Sequence, residues 1–263
     1  MSTDITKTAL ITGASGGIGL ELARLFARDE YNLILTSRNR TRLEDLVEVF
    51  KLEYKVRVTL IAKNLAKPSA SQEIFDEIQS LKLPVDILVN NAGFGSLTSF
   101  AESDLNNTLQ MIQLNITSLT HLTKLFLPAM IKYKSGKIMN VASTAAFQPG
   151  PYMAVYYATK AYVLSFSEAL SEELEGTGVT VTALCPGPTT SGFQARAGME
   201  KTRFMQTMSF MDSKTVAEIG YLGLMDNKRV VIPGFTNKLG VMAARILPRK
   251  TVMKFIKHMK SEK

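Results

Sequence analysis

The segment VYYATKAY, residues 155–162, places two phenols, Tyr156 and Tyr157, four and three positions ahead of the ammonium group of Lys160. A positioned phenol can give a proton to a reacting oxygen or take one from it. Its ordinary pKa near 10 is poorly matched to base chemistry at neutral pH, and a neighbouring cation corrects this by stabilising phenolate. On a helix, at ~100° per residue, Tyr156 and Lys160 stand about 40° apart and Tyr157 and Lys160 about 60° apart. Helix geometry therefore admits either tyrosine as the proton donor.

A second stretch, TGASGGIG (12–19), lies between the strand-like TALIT (8–12) and a helical run beginning near Gly17. Gly13, Gly17 and Gly19 allow a tight turn and close backbone approach, so a diphosphate can meet the free N–H groups and positive end of the helix. The same letters fit the G-x-S-x-G elbow of serine hydrolases. That elbow needs an oxyanion loop from an earlier strand, and only a dozen residues precede Gly13. After the second strand come Ser37 and Arg38, with no acid to hold a ribose 2′-hydroxyl. Arg38 can fork onto a 2′-phosphate and Ser37 can donate a hydroxyl, with Arg40 or Arg42 assisting, which favours NADP(H).

These groups need a scaffold. Short aliphatic or β-branched runs recur at 8–12, 32–36, 56–61, 85–89, 136–141, 179–184 and 229–233. Between them lie helically spaced sets such as Leu22, Leu25 and Phe26, then Leu43, Leu46, Val47 and Phe50. Alternation of this kind predicts parallel βαβ units in an α/β, doubly wound sheet, with ligands at the carboxyl ends of the strands. The stretch 186–204 is expected to be irregular, a mobile lid over such a site.

The 263 residues form one expected domain, with no repeat or linker to divide them. The charge is +8, from 31 basic and 23 acidic residues, and the excess sits at the C-terminus, where ten basic residues from Lys228 onward face only Glu262. Cys185 is the only cysteine, which rules out an intrachain disulfide or a cysteine zinc cluster. With no basic-then-apolar leader before Thr8 and no apolar run of bilayer length, a cytoplasmic protein is expected. No metal is expected, and nucleic acid is not, because no reading module accompanies the charge.

The ordered set TGASGGIG (12–19), NNAG (90–93), Asn115 in LNITS, Ser143, YYATK (156–160) and PG (186–187) resembles the short-chain dehydrogenase/reductase family over nearly the whole chain. The resemblance implies a Rossmann-type sheet of about seven parallel strands, a nicotinamide cofactor and a catalytic group of Asn115, Ser143, Tyr156 and Lys160. In the family pattern Y-x-A-[ST]-K, Tyr156, Ala158, Thr159 and Lys160 align and Tyr157 fills the variable place. Tyr156 is then the implied acid/base, Lys160 its electrostatic partner and a ribose contact, Ser143 the support of the developing alkoxide, and Asn115 the holder of a water relay.

The resemblance also implies the cofactor contacts. Gly13, Ser15, Gly16, Ile18 and Gly19 form the first turn, with Ser37 and Arg38 beyond it. Asn64 and Leu65 follow the third strand, where the family more often has an acid, and an amide can still accept from the adenine amino group. Asn90, Ala92 and Gly93 lie under the adenosine ribose. Pro186, Gly187, Thr189 and Ser191 reach the nicotinamide end, with Ser191 where a threonine is usual. A homodimer or homotetramer is the family expectation.

Phe193, Met199, Phe204 and Met208 in the lid segment (187–211), with Phe147 and Tyr152 near the catalytic residues, suit an apolar, elongated carbonyl or alcohol substrate. The basic extension 235–263 carries Val252, Phe255, Ile256 and Met259 on one stripe. Such a helix either packs over the pocket or at a subunit contact, the favoured reading, or makes a peripheral membrane contact. The expected function is NADPH-dependent reduction of a carbonyl, reversible to oxidation of an alcohol. The alternatives are a catalytically silent NADP-binding sensor and a membrane-surface module.

Overall fold

Because successive strand residues point to opposite faces, the aliphatic runs feed two separate cores. Leu10, Ile34, Leu88, Ile138 and Val181 enter one, whereas Ala9, Ile11, Leu33, Leu35, Val89 and Met139 enter the other. Both faces of the sheet are therefore covered, which is why these strands read as continuous hydrophobic runs.

A computed structural model describes residues 7–200 and 202–260. Residue 201 of the expected lid, residues 261–263 of the basic extension and the segment before Lys7 lie outside the described residues. The first half runs β1 (Thr8–Thr12), α1 (Gly17–Arg28), β2 (Asn32–Ser37), α2 (Arg40–Tyr54), β3 (Val58–Ala62), α3 (Ala70–Ser80) and β4 (Ile87–Asn90). Next come α4 (Leu105–Ile112), α5 (Leu119–Lys132), β5 (Gly136–Val141), α6 (Ala154–Glu173) and β6 (Val179–Leu184). The rest comprises β7 (Thr189–Thr190), α7 (Phe193–Ala197), α8 (Arg203–Thr207), β8 (Met211–Asp212), α9 (Ser213–Met225), β9 (Val230–Val231), α10 (Phe235–Ile246) and α11 (Arg249–Lys260).

The main sheet has the order β3-β2-β1-β4-β5-β6-β9, and every pair is parallel. The chain starts in the middle, winds outward to β3 and crosses back to β4, so the order reverses between β1 and β4 and opens a crevice at their carboxyl ends. The seven-strand, doubly wound α/β expectation holds: β1, β5 and β6 keep their expected bounds, and the ends of the other strands differ by at most two residues. The expected run 229–233 keeps only Val230–Val231 in the ladder.

The segment expected to be irregular is more ordered than its sequence suggested. β7 and β8 pair in parallel, Thr189 with Met211 and Thr190 with Asp212, and bracket α7 and α8. The Thr202 side chain caps α8 by accepting from Met205 N, and Leu97 N donates to the Ala197 carbonyl at 2.8 Å. Residues only five long are too short to show helical periodicity, so spacing could not reveal these helices.

In α11, Val252 and Ile256 are buried and Met259 is half-buried, while Phe255 points outward. Most of the apolar stripe is thus turned onto the cleft, in keeping with the packing reading. Among the described residues no helix is long and apolar enough to cross a membrane.

Candidate active site

The turn after β1 is held by the loop after β4. Thr12 Oγ1 accepts from the backbone N–H groups of Asn91 and Ala92, each at 2.9 Å, and Asn91 Nδ2 donates to the Thr12 carbonyl at 2.8 Å. Gly13 sits at φ +67°, a left-handed conformation favouring glycine. A methyl group at Gly19 would lie 2.5 Å from the Gly13 carbonyl oxygen and against the Asn91 side chain. Gly19 therefore lets α1 approach the turn and does not itself line the cleft, whereas Gly13, Ser15, Gly16 and Ile18 do. α1 begins with no side-chain cap and no acid in its first turn, leaving its N–H groups for an anion.

Gly19→Val tests this packing. The added branched side chain is expected to cost about 1–3 kcal/mol, lowering Tm and weakening the binding of a nicotinamide dinucleotide in a fluorescence titration. Unchanged melting and unchanged binding would show that the turn is not tightly constrained there.

At the far end of β2, Ser37 and Arg38 line the same cleft, with Asn64 and Leu65 beside them. Asn64 Oδ1 accepts from Ala66 N at 3.1 Å, so one of its lone pairs is already engaged. Among the described residues Arg38 has no carboxylate partner, unlike Arg40, which reaches Glu44 at 3.6 Å. Arg196 of α7 also lines the cleft, its guanidinium 4.2 Å from the centre of the Phe94 ring. Burial and then repulsion from Arg38 push the Arg196 pKa down. Two cations that repel one another across a cleft suit a phosphate-bearing ligand. Nothing in the sequence singled out Arg196, because its stretch showed no regular spacing.

The structure places Asn90 away from the cleft. Its Nδ2 donates to Thr123 Oγ1 at 3.0 Å and Asn140 Oδ1 at 2.9 Å, and Asn140 Nδ2 donates to Ser167 Oγ at 2.9 Å. This buried chain ties β4 and β5 to α5 and α6. The next residue, Asn91, lines the cleft with Ala92 and Gly93. Strand alternation sends the two asparagines of NNAG to different places, a distinction the motif alone could not supply.

Ser143, Tyr156 and Lys160 converge on one wall of the cleft. Ser143 follows β5, and its Oγ accepts from Ala145 N at 3.0 Å, which fixes the hydroxyl at the start of a short 3-10 turn. Tyr156 and Lys160 come from the first turns of α6. Lys160 Nζ lies 5.9 Å from the centre of the Tyr156 ring and donates to the Val141 carbonyl at 2.7 Å. Tyr157 also lines the cleft but rests against Gly150, where even a methyl group would strike its ring. The Ser143 hydroxyl lowers the pKa of the Tyr156 phenol and not that of Tyr157.

Electrostatically, burial pushes the Tyr156 phenol up to about 12, with Ser143 drawing it the other way. Burial pushes Lys160 down to about 8. The expected lowering of the phenol by Lys160 is not seen: Lys160 is absent from the groups that shift Tyr156, and desolvation prevails. The ammonium is engaged by a backbone carbonyl and stands off the ring, while the phenol is fully enclosed. Tyr156 is consequently protonated at neutral pH.

Asn115 lies behind this wall and does not line the cleft. It occupies a π turn, Gln113–Ser118, between α4 and α5. Its Nδ2 donates to the Phe94 carbonyl at 2.9 Å and to Thr159 Oγ1 at 3.0 Å, and its Oδ1 accepts from Phe94 N at 3.1 Å. A methyl group at Gly93 would be 3.1 Å from Asn115 Oδ1 and 3.4 Å from Lys160 Nζ, so the asparagine and the lysine adjoin the same glycine.

Beyond the Ser143–Tyr156–Lys160 wall, Pro186, Gly187, Thr189 and Ser191 complete the floor. Gly187 is packed against the Asn237 side chain of α10, and Ser191 lies 3.3 Å from a methyl group placed on Gly17. One continuous cavity of about 1360 Å³ joins the glycine turn, the tyrosine wall and the apolar faces of α7, α8 and α11.

A seven-stranded parallel sheet with a glycine turn at its switch point and a Ser-Tyr-Lys wall defines a class of nucleotide-dependent oxidoreductases. The profile of the short chain dehydrogenase family matches residues 7–202, and the chain belongs to that family. A sulfoacetaldehyde reductase of Chromohalobacter salexigens is 39% identical over 70% of this chain and 73% of its own length. A ketoacyl reductase of Nostoc is 32% identical over 71% of this chain, which spans 65% of that relative, and a short chain dehydrogenase of Pseudocercospora fijiensis is spanned for 59%. Among solved structures, a short-chain dehydrogenase of Sphingobium yanoikuyae in complex with NADPH superposes with a TM-score of 0.82 and 29% identity, covering 94% of this chain and 95% of that one.

Proposed function

We propose that the protein is an NADPH-dependent carbonyl reductase, reversible to alcohol oxidation, acting on an apolar ketone or aldehyde. The observation that carries the reading is the buried, protonated phenol of Tyr156 beside Ser143 and Lys160, in the same cavity as the glycine turn. The residues present fit a phosphorylated dinucleotide: an uncapped helix start for the diphosphate, and Ser37 with Arg38, which has no carboxylate partner among the described residues, for the 2′-phosphate. The NADPH complex of the Sphingobium relative supports the same choice.

When bound, the nicotinamide supplies hydride to the substrate carbonyl carbon. Tyr156 supplies the proton to the oxygen, and the Ser143 hydroxyl donates a hydrogen bond to the alkoxide as charge develops. Lys160, charged below pH about 8 and 5.9 Å from the centre of that ring, would hold the nicotinamide ribose, the second role that the family resemblance implies for it. Asn115 holds the Phe94 backbone and Thr159 in place, and so positions Tyr156 and Lys160 from behind. A silent sensor would have no use for this full set.

The test is NADPH consumption across aldehydes, ketosteroids, 3-oxoacyl thioesters and sugars, with NADH in parallel. Turnover of an apolar carbonyl with NADPH preferred is expected. No oxidation of either cofactor with any class, despite tight binding, would favour the sensor. Arg38→Asp checks the cofactor assignment separately. Loss of a charge-assisted pair of about 1.5–3 kcal/mol should cut kcat/KM for NADPH roughly 10- to 100-fold and narrow the gap to NADH. An unaltered preference would move the 2′-phosphate site elsewhere.

A further inference from the structure

The C-terminal extension is strongly basic, and most of its lysines are solvated, as Lys250, Lys254 and Lys257 are. Lys260 differs. It is only 6% exposed and lines the same cavity as Tyr156. Its Nζ lies 3.9 Å from Met199 Sδ and 4.3 Å from the centre of the Phe204 ring, and no carboxylate among the described residues pairs with it. Val252 and Ile256 of α11 and Phe193 of α7 supply apolar wall in the same cavity.

Enclosing an ammonium among thioether and aromatic groups is costly unless an anion or several acceptors compensate. A sulfur and a ring face are weak partners. Desolvation pushes Lys260 down to about 8, and no charged group among the described residues compensates it. Lys160 offers the contrast, since it is also buried but has the Val141 carbonyl at 2.7 Å. An ammonium of a cavity-lining residue that has no anionic partner among the described residues is arranged for one that arrives with the ligand.

We infer that Lys260 anchors an anionic end of the substrate, so that the enzyme takes amphiphilic oxo acids whose carbonyl lies at Tyr156 and whose charged head lies at the α8–α11 end of the cavity. The inference deepens the carbonyl-reductase reading and rests on it for the carbonyl. A carboxylate and a phosphate monoester offer the same chemistry to an ammonium, and the test separates them. Apolar body and charged head would be recognised by different residues, the first by Phe193, Met199, Val252 and Ile256, the second by Lys260.

Calorimetric titration of the NADPH-loaded protein with redox-inert decanoate, decyl phosphate and decanol requires no turnover. Wild type should bind at least one of the two anions more tightly than decanol, and the preferred anion identifies the head group. Lys260→Met should weaken that anion roughly tenfold or more and leave decanol within about threefold, while Lys260→Arg should retain anion binding. Decanol bound as tightly as both anions by wild type, an equal loss of all three probes in the methionine variant, or no loss of the anion would overturn the inference. Should Lys260→Met fail to fold, Lys260→Gln gives the same comparison. Failure of every ketone in the NADPH assay would instead sink the reductase reading and leave the decanoate result standing.

Discussion

Tyr156→Phe is expected to lower kcat/KM for carbonyl reduction by roughly 10²- to 10⁴-fold, the range for losing a positioned general acid. The phenylalanine ring keeps the contacts with Phe193, at 5.2 Å between centroids, and with Tyr157, at 6.1 Å. Binding of NADPH should therefore change little, and the loss should appear in kcat. Tyr157→Phe removes the same atom from the neighbouring ring and should cost only a few-fold, because that ring packs against Gly150 and the Ser143 hydroxyl lowers the pKa of Tyr156 alone. Steady-state kinetics of both variants, with cofactor titrations alongside, separate the two tyrosines. Equal losses would mean that the two phenols share the proton.

Lys160→Met should also remove most activity, by about 10²-fold or more, yet it should make the protein more stable near neutral pH. Below pH about 8 the wild-type lysine is charged in both folded and unfolded chains, and burial disfavours that charge in the fold. The distance from the ordinary value of 10.5 down to about 8 corresponds to about 3 kcal/mol against the charged form. Loss of the bond to the Val141 carbonyl returns about 1 kcal/mol of that. Between pH 8 and 10.5 the unfolded chain holds the proton that the folded one has lost, so wild-type stability rises with pH. The advantage of the variant should shrink over that interval. Paired melts from pH 7 to 10 check this, and a constant difference would show that the ammonium is not strained in the fold.

The sheet was legible because its signal is long and repeated. Seven aliphatic runs separated by helical spacing leave little freedom, and the parallel alternative, once chosen, dictates burial on both faces. Strand ends and the two-residue β9 were less legible, since hydrogen bonding across to β6 decides them and not the local residues. The paired ribbon of Thr189–Thr190 and Met211–Asp212 joins segments some twenty residues apart and has no local pattern.

In the candidate site, spacing made the turn from Gly13 to Gly19 and a tyrosine–lysine pair legible, and only the resemblance to the family pattern Y-x-A-[ST]-K chose Tyr156 over Tyr157. The site was not legible where the role depends on which way a strand turns. Asn90 and Asn91 are chemically identical neighbours, and alternation at the end of β4 sends the first into the core and the second to the glycine turn. Arg196 and Lys260 were missed as individuals because a cation in a basic sequence looks solvated until the fold encloses it. The expected effect of Lys160 on the phenol failed for a similar reason: spacing gives proximity but not the depth of burial, and burial sets the sign of the shift.

The most direct test is a crystal structure of the protein with NADP⁺ and the alcohol product of any substrate it reduces. The account predicts the product oxygen within about 2.6–3.2 Å of both Tyr156 Oη and Ser143 Oγ, with the adjoining carbon facing the nicotinamide. A product oxygen held by Tyr157, or by any group other than Tyr156 while the cofactor occupies the cleft, would contradict it.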